Sequence, residues 1–320
     1  MEITKNDDYK AKLSLMKQFY RSYLKNPKKS TNIFLLGLAF FELYSSCHQL
    51  DRNMLRGNIM RSIFLPLREL DDIVDDNLVI PGRDAGISKI EYVEEKIAFI
   101  EALENEESVR IIDDIDRSFK YNFDLSKKLG IDLTEETKKI LFAIRAEAHR
   151  KQYFLESGEY RYLSDEELKK IYLPCDINVL NATFKILDSN GCNDELLQTY
   201  CMAIQTRHII KDSIEDAKLG FCNITIEDMA KYKISDDEIK YLVTLGDDTC
   251  KKLQNGDNPG MILTSAFPNS ICQLFLDQKE EGLEYVRAYE AGNSRLDLNE
   301  PARAITDYML ERTRKYLEKL

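Results

Sequence analysis

Apolar residues recur at spacings of three and four along almost the whole chain, and no alternating run of β-branched residues persists for long. That spacing lines up one face of a helix, so it predicts helix nearly throughout. Only 13 Gly and 7 Pro occur in 320 residues, so few helix interiors are interrupted. The breaks fall at "KNPKKS" (25–30), "IPGRDAG" (80–86), "SGEYRYLSDEEL" (157–168), "DSNGCND" (188–194), "LGFCNIT" (219–225), "NGDNPG" (255–260) and "EAGNSR" (290–295). Each supplies Gly, Pro or Asn where a helix should stop. None is long or Ser/Gly-rich enough to act as an interdomain linker, and no fixed-period repeat is present. The expectation is an all-α fold with a single domain over 1–320.

The chain carries 45 Lys and Arg against 56 Asp and Glu, a formal net charge of -11. This is the wrong sign for a protein whose main partner is a nucleic acid backbone. Seven Cys with no C-x-x-C pair indicate neither a disulfide framework nor a zinc ribbon, which fits a reducing, cytoplasmic setting. The opening "MEITKNDDYK" has no apolar segment of the signal-peptide kind behind it. "IFLLGLAFF" (33–41) is far short of the roughly 20 residues of a membrane span and is expected to be a core helix. Any membrane contact is expected to be peripheral.

Against this background, "LRELDDIVDD" (67–76) concentrates four aspartates on one and a half turns. At 100° per residue, Arg68, Asp71, Asp72 and Asp75 share one side of a helix, while Leu67, Leu70, Ile73, Val74 and Leu78 share the other. Like charges at i and i+4 weaken a helix by about 0.2–0.5 kcal/mol per pair, so the acids call for something positive. A second stretch, "QTRHIIKDSIEDAKLG" (205–220), places Gln205, His208, Asp212, Glu215 and Asp216 on one face, with Ile210, Ile214 and Ala217 opposite. The D-x-x-x-D spacing of Asp71 and Asp75 recurs as Asp212 and Asp216. Two such helices can face one another across a bundle interior. Carboxylates are the ligands that Mg²⁺ takes together with substrate phosphates and water. The four aspartates are therefore the candidate metal ligands, with Arg68 and Lys211 as candidate phosphate contacts, and Asp72, Asp76 and Glu215 in support. A third run, "IIDDIDRSF" (111–119), is expected on an exposed face or at a helix start.

These motifs resemble those of the squalene/phytoene synthase family of head-to-head prenyl transferases, and more closely its squalene synthase branch. "LRELDDIVDD" is similar to that family's first aspartate-rich motif and "IIKDSIED" to its second. "AKLGFCNITIEDMAKYKIS" resembles the segment that closes the site, "LSDEELKKIYLPCDINVLNATFKIL" (163–187) the tyrosine-bearing helix, and "TSAFPNSICQLF" (264–275) a later helix lining the pocket. The resemblance runs from about residue 42 to residue 290. It implies an isoprenoid synthase helical bundle around a central apolar cavity, Mg²⁺ as cofactor, prenyl diphosphate as substrate and Tyr172 as the catalytic tyrosine. The implied chemistry joins two farnesyl or geranylgeranyl diphosphates with loss of diphosphate. Squalene synthases then use NADPH as hydride donor, a step that is optional across the family.

The chain also departs from the pattern. Two glycines of the family's tyrosine helix align with Asn178 and Asn181, and an asparagine of the metal site aligns with His208, which could ligate metal, bond phosphate or take a proton. The family's early Ser-Phe pair is not recognisable near Glu42 and Leu43. Asn178 and Asn181 add bulk and polarity beside a hydrocarbon pocket. They keep open the alternative of a terpene cyclase acting on a single prenyl diphosphate, alongside a non-catalytic helical module. His48 and His149 belong to no motif and are expected to be structural.

Overall fold

The structure, a computed structural model, describes residues 5–19, 50–81, 86–189 and 194–320. The "IFLLGLAFF" stretch, Glu42, Leu43 and His48 lie outside the described residues. The described residues form thirteen α-helices and no strand: α1 (Lys5–Phe19), α2 (Leu50–Val74), α3 (Lys89–Glu104), α4 (Asp114–Leu129), α5 (Thr134–Ser157), α6 (Asp165–Leu187), α7 (Asp194–Leu219), α8 (Ile226–Tyr232), α9 (Asp236–Thr244), α10 (Asp247–Asn255), α11 (Pro259–Ala266), α12 (Asn269–Gly292) and α13 (Glu300–Glu318). The fold is all-α, as the apolar spacing predicts. None of the described helices is long and apolar enough to cross a membrane.

The chain divides into two compact units, Met1–His149 with Asn178–Ser189 and Arg150–Ile177 with Asn190–Leu320. The division falls inside α5 and α6.

In the first unit α4 packs against α1, α2 and α3. Ile59, Ile63, Leu70, Tyr92, Val93 and Ile115 are fully buried. The Asn122 amide donates to the Ile59 carbonyl at 2.8 Å, fixing α4 against α2. The third acidic run is a helix start, because Asp113 caps α4 by accepting from the amides of Ile115 and Asp116. It is not an exposed face. Asp116 and Lys96 are 2% and 1% exposed, and the Lys96 ammonium bridges Asp113 and Asp116 at 2.5 and 2.6 Å. The Tyr92 hydroxyl adds a bond to Asp113 at 2.8 Å. Burial alone would raise the Asp113 carboxyl, but the Lys96 charge, with its hydrogen bond and those of the Asp116 amide and Tyr92, more than reverses this and holds it below its ordinary value.

In the second unit α7 is the central element, with α9, α10, α12 and α13 against it. Ile210, Ile214 and Ala217 on its apolar face enter a core with Leu253, Leu263 and Phe275. The approach of α12 requires Gly282, where a Cβ atom would come within 2.9 Å of the Thr206 methyl and 2.8 Å of Leu317.

Candidate active site

The first acidic group crowns the C-terminal end of α2. Leu67, Leu70, Ile73 and Val74 are buried as the spacing predicts, which turns Asp71 outward. The helix ends at Val74, so Leu78, expected on the same apolar face, lies beyond it and is partly exposed. The Asp75 amide still donates to the Asp71 carbonyl at 2.9 Å, which keeps Asp75 one turn above Asp71, and Asp76 stops the helix at a φ of 64°. One carboxylate oxygen from each of Asp71, Asp72 and Asp75 lies within 4.8 Å of the others. These acids stand at the negative end of the helix dipole, in a last turn with no basic residue.

Part of the positive charge they require comes from the chain. Arg68 pairs with Asp71 at 2.6 Å and with the fully buried Asp72 at 3.1 Å. Lys89 donates to the Val74 carbonyl at 3.0 Å and pairs with Asp76. Arg68, expected as a phosphate contact, is paired with two of these acids.

The second acidic group lies on the partly exposed face of α7, where Gln205, Asp212, Glu215 and Asp216 are half-buried. Lys211 pairs with its neighbour Asp212, so this second expected phosphate contact is also bound to an acid. The Gln254 amide bridges Asp212, at 3.3 Å, and Glu215.

Asp216 is tied to Tyr172 through Asn223, which lies in the segment similar to the family's site-closing one, and through Arg150, which no motif announced. The Arg150 guanidinium, 2% exposed, donates from Nη1 to the Tyr172 hydroxyl at 2.7 Å and to the Asn223 side-chain oxygen at 2.9 Å. The Asn223 amide in turn donates to Asp216 at 3.0 Å. Arg150 Nη2 donates to the Cys222 carbonyl, which locks the loop after α7 onto α5. That loop begins at Gly220, at a φ of +91°, where a Cβ atom would fall 2.4 Å from the Phe154 ring. Glycine there turns the chain so that Asn223 comes back to Asp216. In the sequence Asn223 was signalled by "LGFCNIT", read as a helix break, and by "AKLGFCNITIEDMAKYKIS", similar to the segment that closes the site, while Arg150 had no signal.

His208 projects from the same face of α7 and is exposed to water-sized contacts, although protein surrounds it at longer range. That surrounding protein, and then Lys211, Arg207 and Arg312, hold its imidazole well below the ordinary histidine value. The Gln205 amide donates to Asp176 at 2.8 Å, so this expected substrate contact holds a carboxylate that the sequence pattern did not single out. Asn178 and Asn181 are half-buried on the C-terminal half of α6. His149 is exposed rather than part of a core.

No family model matches the sequence, and no curated protein sequence matches it. Its structure, however, superposes on a dehydrosqualene synthase in complex with ligand, with a TM-score of 0.55 and 12% identity over 89% of this chain and 86% of that one. It also superposes on the squalene synthase HpnC from Alicyclobacillus acidocaldarius, with a TM-score of 0.56 and 13% identity over 96% of this chain and 94% of that one. The chain shares the all-α fold of these two synthases.

Proposed function

We propose that the protein is a Mg²⁺-dependent prenyl transferase that joins two prenyl diphosphates head to head with release of diphosphate. The observation that carries this reading is the triad of Asp71, Asp72 and Asp75, within 4.8 Å of one another at a helix C-terminus, on a chain with the squalene/phytoene synthase fold.

The donor set suits the metal. Mg²⁺ prefers hard oxygen ligands, takes one or two carboxylates, and fills its remaining positions with water and phosphate oxygens. Asp71 and Asp75 would hold it at the first group, and Asp212 and Asp216 at the second. When bound, Mg²⁺ neutralises the diphosphate charge and so favours its departure.

The remaining roles belong to the chain itself. Asp72 is fully buried and paired to Arg68, which fixes the end of α2 and the direction in which Asp71 and Asp75 point. Arg150 fixes the Tyr172 hydroxyl and, through Asn223, one oxygen of Asp216. The tyrosine hydroxyl and this acid are thereby held as one unit, and a cation leaving its diphosphate would meet an oriented phenol oxygen. His208, on the same face of α7 as Asp212 and Asp216, is suited to bond a phosphate oxygen or to ligate metal. Asn178 and Asn181 would shape the hydrocarbon end of the pocket.

The test is to incubate the purified protein with farnesyl or geranylgeranyl diphosphate and Mg²⁺, with and without NADPH, and to weigh the product by mass spectrometry. The reading predicts a product with twice the substrate's carbon count. A cyclic product with the carbon count of one substrate would instead establish the cyclase alternative. No release of diphosphate under any condition would contradict both.

A further inference from the structure

Asp176 lies four residues after Tyr172, so its side chain stands one turn above the tyrosine on the same face of α6. Its surroundings are unusual for an acid. Every residue from 171 to 177 is partly exposed, with none fully buried and none fully open. Leu173, Cys175 and Ile177 are among them, so this stretch of α6 carries apolar side chains that no neighbour fully covers.

Among the described residues no cation pairs with this acid. Among the described residues its single hydrogen bond is the one from the Gln205 amide to Oδ2 at 2.8 Å, which leaves Oδ1 free to accept. Burial pushes the carboxyl up to about 6, and the Gln205 amide opposes the shift only in part. At pH 7 the group is therefore still mostly ionised while being basic for a carboxylate. Gln205 is itself placed by α7, one turn before His208, so the carboxylate is held from a second helix and does not rotate freely.

We infer that Asp176 is the proton acceptor that ends the reaction, taking a proton from the carbon next to the final cationic centre so that the product leaves as an alkene. This rests on the prenyl transfer reading given above. In the step, a C–H bond breaks and its electron pair becomes the new C=C bond. The proton passes to Oδ1, and the neutral acid returns it to water when the product leaves. No oxidant or reductant takes part. A carboxylate that pairs with no cation among the described residues, on a helix with partly open apolar side chains, attracts a carbocation and then removes its charge, whereas a hydride quench would require neither the acid nor its anchor. The Asn178 and Asn181 amides on the following turns are too weakly basic to replace it.

The experiment compares wild type with Asp176→Asn on farnesyl diphosphate and Mg²⁺ without NADPH, following diphosphate release and hydrocarbon product separately. The amide keeps the shape and can still accept from Gln205, and circular dichroism checks that it folds. Wild type is expected to make an alkene without NADPH. In the variant, alkene formation should fall at least tenfold while diphosphate release falls less than threefold, with a water-quenched alcohol or a diphosphate intermediate accumulating. As a second measurement independent of any variant, adding NADPH to wild type should not convert the product to one heavier by two hydrogens. Unchanged alkene formation by Asp176→Asn, or a wild-type product that forms only with NADPH, would overturn the inference and leave prenyl transfer standing. Absence of diphosphate release by wild type would overturn both.

Discussion

Arg150 and Tyr172 are joined by a hydrogen bond of 2.7 Å from a guanidinium that is 2% exposed. The same nitrogen holds Asn223 at 2.9 Å, and Asn223 holds Asp216 at 3.0 Å. A buried charge with this many bound neighbours organises a site rather than decorating it. Truncating such a group strands polar partners that water cannot reach.

Replacing Arg150 by Met should therefore lower stability by about 2–4 kcal/mol, within the range expected for stranding buried hydrogen-bond partners. Asn223→Ala, which leaves Arg150 bound to Tyr172, should cost less than about 2 kcal/mol. Both should slow diphosphate release at least tenfold. Urea denaturation and a steady-state assay measure the two effects separately, and a stability loss without a loss of turnover would remove the link to Asp216.

The Lys96 triad gives a stability prediction remote from the proposed chemistry. Asp116→Ala should cost about 3–5 kcal/mol, because it leaves a buried ammonium short of a partner. The depressed Asp113 carboxyl adds a pH dependence. Its stabilisation is fully present above its unfolded value of 3.8 and is lost as pH falls through its lower folded value. Thermal unfolding from pH 6 to pH 2 should show a steep acid loss in wild type that is shallower in Asp113→Asn.

Asp176 titrates in the opposite sense. Its folded value, about 6, lies above the unfolded 3.8, so the folded state holds the proton more tightly. Stability from this group is present below pH 3.8 and declines as pH rises through about 6. Asp176→Asn should consequently be more stable than wild type by about 1–3 kcal/mol at pH 7, with the difference vanishing near pH 4. Equal pH profiles for the two proteins would remove the desolvated carboxylate from the account.

Gly220→Ala should destabilise by at least about 1–2 kcal/mol, since it adds a side chain at positive φ and drives a Cβ atom into Phe154. If the turn also sets Asn223, turnover should fall further than stability. Phe154→Ala in the same background should recover part of the stability but not the turnover.

The helices were legible because burying one face of each imposes a local period, and Ile210, Ile214 and Ala217 fall inside where that period puts them. The acidic clusters were legible for the same reason, as Asp71 and Asp75 or Asp212 and Asp216 need only one helix to set their spacing. What each side chain binds is a tertiary matter. Arg68 and Lys211 read as phosphate contacts because they flank aspartates, and those aspartates bind them. Arg150 and Asn223 are 73 positions apart in the chain and have no shared pattern, so only folding shows that they meet. Asp116 looked exposed because it sits in a charged run, yet Lys96, 20 positions earlier, draws it into the core.

The central claim is that Asp71 and Asp75 act together to hold the magnesium that binds diphosphate. A double-mutant cycle on Mg²⁺-dependent diphosphate release, using Asp71→Asn, Asp75→Asn and the pair, tests it most directly. Residues that act as a unit are non-additive, so the account predicts that each single change abolishes nearly all release and that the double variant is scarcely worse than either. Release that falls independently at the two positions, so that their effects multiply, or that survives either substitution, would contradict it.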